Sequence, residues 1–390
     1  MTKSIRPELR DIQVSGIRTF NTRVTGIPDM IRLTLGEPDF PTPEHVKQAA
    51  ISAIEENFTN YTPNAGMPEL LEAASTYFHE KYDLSYNNKE IIVTVGATEA
   101  ISVALQTILE PGDEVILPDP IYPGYEPLIT LNRAHPVKVD TTETNFKLTP
   151  EQLRAHITPK TKALIIPYPS NPTGVTLSKK ELFALAEVLK ETGIFVIADE
   201  IYSELTYHEE HVSIAPLLRE QTIVINGLSK SHAMIGWRIG FLLAPETLTQ
   251  EMLKIHQYSV TCASSISQKA ALEALTNGKD DAFQMRTEYK TRANFTQDRL
   301  EKMGFTVIPP DGAFYFFVKL PDEITENAFD WTVKLAEEAK VAVVPGNAFS
   351  EKGDRYFRLS YATSFNNLAE ALDRMAQFIA KQKETSTNLN

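Results

Sequence analysis

Seven short runs dominated by apolar residues punctuate the chain between residues 90 and 244: IIVTV from Ile91, VILPD from Val115, VKVD from Val137, ALIIPYP from Ala163, IFVIAD from Ile194, TIVIN from Thr222 and IGFLLA from Ile239. Helical spacing separates several of them. EAISVALQTIL carries apolar residues three and four apart behind a capping threonine, Thr98, and KKELFALAEVLKETG follows Ser178, with Glu181 completing a capping box. Strands that are apolar throughout must be covered on both faces. The pattern therefore predicts an α/β fold, with a mostly parallel seven-stranded sheet sandwiched by helices.

The texture changes near residue 286. A charged helical stretch, MRTEYKTRANFTQDRLEKMG from Met285, precedes an apolar run (GAFYFFVKL from Gly312), a helix near Asp330, VAVVPG from Val341 and RYFRLSYA from Arg355. These predict a smaller α+β domain. The first 45 residues show little regular pattern except IRLTLGEPDF from Ile31, and are expected to pack with it. The expected division is a large domain over 46–285 and a small one from 1–45 with 286–390. The tail from Lys381 is expected to fray.

Composition narrows the function classes. The formal charge is −13, which disfavours nonspecific binding to nucleic acid or an anionic membrane. The single cysteine, Cys262, excludes an intrachain disulfide and a cysteine metal cage, and reads as a small packing residue. His208-Glu-Glu-His211 is the nearest approach to a metal pair and reads as an exposed loop. The opening MTKSIRPELRDIQ lacks the apolar core of a signal peptide, and no apolar run is long enough to span a membrane. The expectation is a cytoplasmic protein with no nucleic-acid or membrane partner.

In an open parallel sheet, functional groups gather where the strands end. Those ends carry Gly96-Ala97-Thr98, Asp119-Pro-Ile-Tyr122, Asn171-Pro-Thr-Gly174, Asp199-Glu-Ile-Tyr202 and Ser229-Lys230. Each alone has an ordinary reading as a turn, a cap or a surface charge. Together they are complementary. A helix start with Ala97 and Thr98, plus Ser229 and Arg238, suits a phosphate. Lys230 is an amine able to join an aldehyde, Asp199 can hold a proton on a ring nitrogen, Asn171 and Tyr202 suit a phenolate oxygen, and Tyr122 offers a ring to stack on, although Tyr125 lies close by and one of the two is left to packing. Those four features on one small molecule describe pyridoxal 5′-phosphate. Arg358, on an apolar strand, needs an anionic partner: a substrate carboxylate, or a structural Asp or Glu. His232 reads as packing.

The run SKSHAMIGWRIG from Ser229 resembles the lysine signature of the class I/II aminotransferases. PSNPTG around Asn171, DEIY from Asp199 and RLS from Arg358 resemble that family's other landmarks, in its order, and the likeness extends from LGEPDF at Leu35 to Arg358. Segments such as DPIYPGYEP, TIVINGLSKSH and CASSISQKAALEA are similar to the bacterial aminotransferase A group, associated with N-acetyl-diaminopimelate in lysine synthesis. The resemblance implies an aspartate-aminotransferase-like fold and a pyridoxal-phosphate enzyme exchanging an amino group by a ping-pong route. In it, Lys230 binds the cofactor covalently and shuttles the proton, Asp199 pairs with the ring nitrogen, and Tyr202 and Asn171 bond the ring oxygen. Ala97, Thr98, Ser229 and Arg238 hold the phosphate, Tyr122 stacks on the ring, and Arg358, Asn171 and the backbone of Gly36 take the substrate carboxylate. Tyr61 is expected to reach the phosphate of a neighbouring subunit in a homodimer, the alternative being an ordinary loop aromatic.

Rival readings remain at this level. The same lysine and aspartate would serve an aspartate or aromatic aminotransferase, a C–S lyase, a decarboxylase or a cyclising lyase. A nucleotide-binding dehydrogenase would need a Gly-x-Gly-x-x-Gly turn after a strand, which is missing, and a DNA-binding regulator would need a helix-turn-helix pattern, also missing.

Overall fold

In a computed structural model, which describes residues 4–387, the seven apolar runs assemble into one sheet. Its order is Ile91–Thr94, Gly240–Leu243, Thr222–Gly227, Phe195–Asp199, Thr161–Ile166, Glu114–Asp119 and His135–Asp140. Gly240–Leu243 runs antiparallel to both its neighbours, and the other pairs are parallel. The expectation of an α/β fold with a mostly parallel seven-stranded sheet holds.

Two separate apolar layers explain why these strands read as continuous hydrophobic runs. Val196, Ala198, Val224, Phe241 and Leu243 belong to one buried cluster, whereas Ile197, Ile223, Ile225 and Leu242 belong to another. Alternate side chains thus enter cores on opposite faces, so the central strands are apolar throughout, while the edge strand His135–Asp140 is partly exposed. Helix Lys179–Leu189 starts with the capping box expected: Ser178 Oγ accepts from the Glu181 N–H, and Glu181 accepts from the Ser178 N–H at 2.7 Å. Helix Gly96–Ile108 departs from expectation. It begins two residues before Thr98, with Val95 at the cap position, so Thr98 lies inside its first turn.

A second, three-stranded antiparallel sheet contains Val344–Pro345, Tyr356–Ser360 and Tyr315–Lys319, with a core built on Phe316, Phe357, Trp331 and Tyr361. The run from Val341 is divided between two sheets. Val341–Ala342 pairs parallel with Ile31–Arg32, which ties the N-terminal segment to this part of the chain. The N-terminal segment is more regular than its pattern suggested, with helices Gly16–Arg23 and Glu44–Glu55. The last helix, Phe365–Thr387, continues through the stretch expected to fray, and residues 388–390 lie outside those described. Among the described residues no helix is long and apolar enough to cross a membrane.

Asp119, at the end of its strand, links the two sheet systems: the Ser350 hydroxyl donates to its carboxylate. Burial pushes this carboxyl up to about 6, against the opposing effect of the Ser350 bond. The folded form therefore keeps its proton over a range where the unfolded chain has lost it. Asp119's contribution to stability is full below about pH 4 and lost as pH rises through about 6. Relative to an Asp119→Asn variant, the wild type should lose about 2 kcal/mol between pH 4 and pH 7, measured as urea midpoints.

Candidate active site

The parallel strands Thr161–Ile166, Phe195–Asp199 and Thr222–Gly227 point their carboxyl ends into one cleft of about 670 Å³. Residues just past those ends line it: Asn171, Asp199, Tyr202, Ser229 and Lys230. The reversed strand brings in the remainder. Gly240 pairs with Gly227 on one side and Thr94 on the other, so residues before Gly240 and after Thr94 reach the same edge as Lys230. That is why Arg238 meets the start of helix Gly96–Ile108. A Cβ on Gly96 would sit 2.5 Å from an Arg238 guanidinium nitrogen, and Gly96 has φ +78°, so a side chain there is excluded twice. Ala97, Thr98, Ser229 and Arg238 thus surround a helix N-terminus whose free N–H groups favour an anion. Arg238 itself adopts φ +52°, a strained setting for a non-glycine residue, and donates to the Ile235 carbonyl at 2.9 Å.

Lys230 projects into the cleft and donates to the Gly36 carbonyl at 2.6 Å. Its amine is pushed down to about 8, chiefly by burial, with the positive charges of Arg358 and Arg238 adding to the effect and Glu37 and Asp199 opposing it. An amine so placed supplies the deprotonated nucleophile that joining an aldehyde requires. Asp199 is buried and accepts from the Tyr125 hydroxyl at 2.6 Å and the Ile201 N–H at 3.2 Å. Burial pushes its carboxyl up, and these two bonds pull it back. No helix begins at Glu200, so Asp199 is not a helix cap.

Tyr125 corrects the sequence reading. Tyr122 lines the cleft, as expected for a stacking ring, but Tyr125 is more than packing, because its hydroxyl orients Asp199. The two rings meet edge to face, with centroids 5.5 Å apart. Nothing in the one-dimensional pattern distinguishes them, since the contact forms only when neighbouring strands align.

Arg358 is 2 % exposed, yet among the described residues no Asp or Glu pairs with it. Its guanidinium donates to Asn171 Oδ1 at 2.9 Å and the Thr34 carbonyl at 2.7 Å, while the buried Nε has no partner. The Tyr315 and Phe349 rings flank it at 4.5 and 4.8 Å. Tyr315 also shares a 2.8 Å hydrogen bond with Tyr202, whose ring faces the cleft. Thr34 and Tyr315 were not legible as site residues. A buried guanidinium without an anion is costly, and among the described residues no carboxylate offsets it.

Other expectations resolve more simply. Tyr61 is 85 % exposed and does not line this cleft. His232 is buried, its ring nitrogens facing Ser231 and the Gly278 carbonyl, as a packing residue would be. Cys262 is half-buried. His211 is not in an exposed loop: its ring turns inward, 3.1 Å from Glu200. No group of three metal-ligating side chains exists among the described residues.

An anion cradle, a neutralisable lysine, a buried ring-nitrogen partner and an unpaired arginine form the donor set pyridoxal phosphate and an amino acid need. The family model "Aminotransferase class I and II" matches residues 28–375. The chain belongs to this family. A curated Bacillus subtilis relative described as a probable N-acetyl-LL-diaminopimelate aminotransferase is 54% identical over 391 residues, covering 100% of this chain and 99% of the relative. An aspartate aminotransferase of Pyrococcus abyssi is 41% identical, covering 96% and 98%. Among solved structures, the Thermus thermophilus aspartate aminotransferase with maleate matches with a TM-score of 0.91 and 38% identity, covering 96% and 100%. Class I and II aminotransferases depend on pyridoxal phosphate, and the chemistry of Lys230, Asp199 and Arg238 in the cleft is compatible with that group.

Two outcomes test the site. Capture of pyridoxal phosphate by the cofactor-free aminotransferase should rise with pH and reach half its maximum near about 8. Arg358→Gln should move that midpoint upward, because a positive charge that opposes protonation of Lys230 is lost. In Tyr125→Phe, kcat should fall roughly tenfold, about 1.4 kcal/mol of barrier, as Asp199 loses its hydroxyl donor.

Proposed function

We propose that the protein transfers the amino group of an N-acetyl-L,L-diaminopimelate-type substrate to or from 2-oxoglutarate, by a ping-pong route, as part of lysine biosynthesis. The observation that carries amino-acid chemistry is Arg358, a buried guanidinium open to a carboxylate beside the amine of Lys230. Support for the diaminopimelate derivative comes from the relative that is 54% identical over the full chain. A dicarboxylic partner accords with the maleate that accompanies the Thermus enzyme in its solved structure.

The bound cofactor supplies an electron sink for the charge left when the substrate's α-hydrogen departs. In this proposal Lys230 holds the cofactor and moves that proton. Asp199 keeps the ring nitrogen protonated, with Tyr125 holding the carboxylate in place. Tyr202 and Asn171 bond the ring oxygen, Tyr122 packs on the ring face, and Ala97, Thr98, Ser229 and Arg238 hold the phosphate. Arg358, Asn171 and Gly36 seat the α-carboxylate, leaving the α-hydrogen within reach of Lys230. We further propose a cytoplasmic homodimer in which exposed Tyr61 completes the partner's phosphate site, and a division into a large domain over 46–285 and a small one from 1–45 and 286–390.

A second reading, aspartate or aromatic amino-acid transfer, is favoured by the relatives at about 40% identity that carry the names aspartate aminotransferase and aromatic-amino-acid aminotransferase. A half-reaction screen decides between them. The holoenzyme given one amino donor should convert its cofactor to the amino form with glutamate and with N-acetyl-L,L-diaminopimelate. Conversion by aspartate or phenylalanine, but not by the diaminopimelate derivative, selects the second reading. Ammonia and pyruvate release without the amino form would mean a C–S lyase. Asp199→Asn should lower kcat by at least about a thousandfold while changing substrate binding little, because its effect lies in the transition state.

A further inference from the structure

Helix Gly16–Arg23 had no role in the sequence pattern, yet it forms one wall of the cleft. Its Phe20 is buried with Val24 against Val333, Ala336 and Ala342. Gly16 fixes its start, because a Cβ there would lie 2.9 Å from both Cα and Cβ of Ala348. With that face anchored, Ile17, Arg18 and Asn21 line the same cleft as Lys230 and Arg358.

Four cationic side chains line the cleft: Arg18, Lys230, Arg238 and Arg358. Three already have bonds and roles. Lys230 is held by Gly36, Arg238 lies against the helix start at Gly96, and Arg358 is held by Asn171 and Thr34. Arg18 is different: among the described residues it makes no hydrogen bond and no ion pair. One helical turn further on, Asn21 Oδ1 is buried without a hydrogen-bond partner. Positions three apart share a helix face, so these two polar groups act on one region of the cleft. Tyr122, another lining residue, is near enough to feel the Arg18 charge.

We propose that Arg18 and Asn21 form the subsite for the far end of the substrate. Arg18 pairs with a distal carboxylate, and Asn21 Oδ1 accepts from an N–H beside it. The inference rests on the aminotransferase reading, in which Arg358 takes the carboxylate next to the reacting carbon. It names the substrate class that the cleft prefers: amino and 2-oxo acids with a second carboxylate, and above all those with an amide N–H next to it. A monocarboxylic amino acid, whose side chain carries no carboxylate, leaves both groups unsatisfied, and a site built from unpaired polar groups discriminates by what it leaves unpaired.

The test uses holoenzyme, calorimetry with two non-reacting acids, glutarate and butyrate, and single-donor half-reactions. The wild type should bind glutarate more tightly than butyrate. Arg18→Gln should weaken glutarate binding roughly 30-fold and butyrate binding less than about 3-fold, the asymmetry expected from losing one charge pair. With glutamate as donor its KM should rise while kcat holds, and Arg18→Lys should restore part of the loss. Asn21→Ala should lower the preference for N-acetyl-L,L-diaminopimelate over glutamate roughly fivefold, the scale of one neutral hydrogen bond. Equal losses for glutarate and butyrate, or no loss for either, would overturn the proposal. If no donor converts the wild-type cofactor, the aminotransferase reading fails instead, and the glutarate-to-butyrate ratio still reports on Arg18.

Discussion

The pairing of Gly240 with Gly227 and Thr94 is the constraint on which this cleft depends. One reversed strand in an otherwise parallel sheet sends its starting end, not its finishing end, to the functional edge. Arg238 precedes that strand, Lys230 follows its neighbour, and Gly96 follows the strand on its other side. Register alone therefore brings a guanidinium, an amine and a helix N-terminus together. The two apolar layers that bury both faces of the sheet hold that register, since a one-residue slip would exchange the side chains of Ile197 and Ala198 between opposite cores.

Charge balance at the cleft follows from the same geometry. Burial disfavours the charged forms of Lys230 and Arg358, and the Arg358 charge adds to the cost of charging Lys230. The protein relieves this only in part, through the charges of Glu37 and Asp199 near Lys230, carbonyls at Gly36 and Thr34 and the amide oxygen of Asn171. Ligands must bring the negative charge. The outcome is a cleft tuned toward a neutral lysine and toward anions at separate points along its walls. Strain at Arg238 and the missing partner of Arg358 are costs borne at the binding site and offset by the large cores around it.

Much of this was legible in one dimension, and for definite reasons. Strands buried on both faces advertise themselves as apolar runs, so all seven could be found, and the Ser178–Glu181 capping box marks its helix start locally. The candidates Asn171, Asp199, Tyr202, Lys230 and Arg238 stand beside those runs, because strand ends are where a parallel sheet collects function, whereas Arg358 stands out as a charge on an apolar strand of the smaller antiparallel sheet. The helix start near Thr98 was misjudged because its cap residue, Val95, carries no capping side chain. Helix Gly16–Arg23 was overlooked because eight residues, with Phe20 alone fully buried, give too short an apolar period to detect.

By itself the sequence determined the α/β class, the strand-end chemistry and the resemblance to class I and II aminotransferases, because burial and local capping leave marks on consecutive residues. Only the tertiary structure decided that Tyr125 orients Asp199, that Tyr315 and Thr34 support Arg358 without any carboxylate, and that Arg18 and Asn21 face the cleft. Each of those relations joins residues far apart in the chain, 74 positions for Tyr125 and Asp199 and 324 for Thr34 and Arg358, or a helix to a wall it does not adjoin in sequence. Packing creates such contacts, and no periodicity along the chain encodes them.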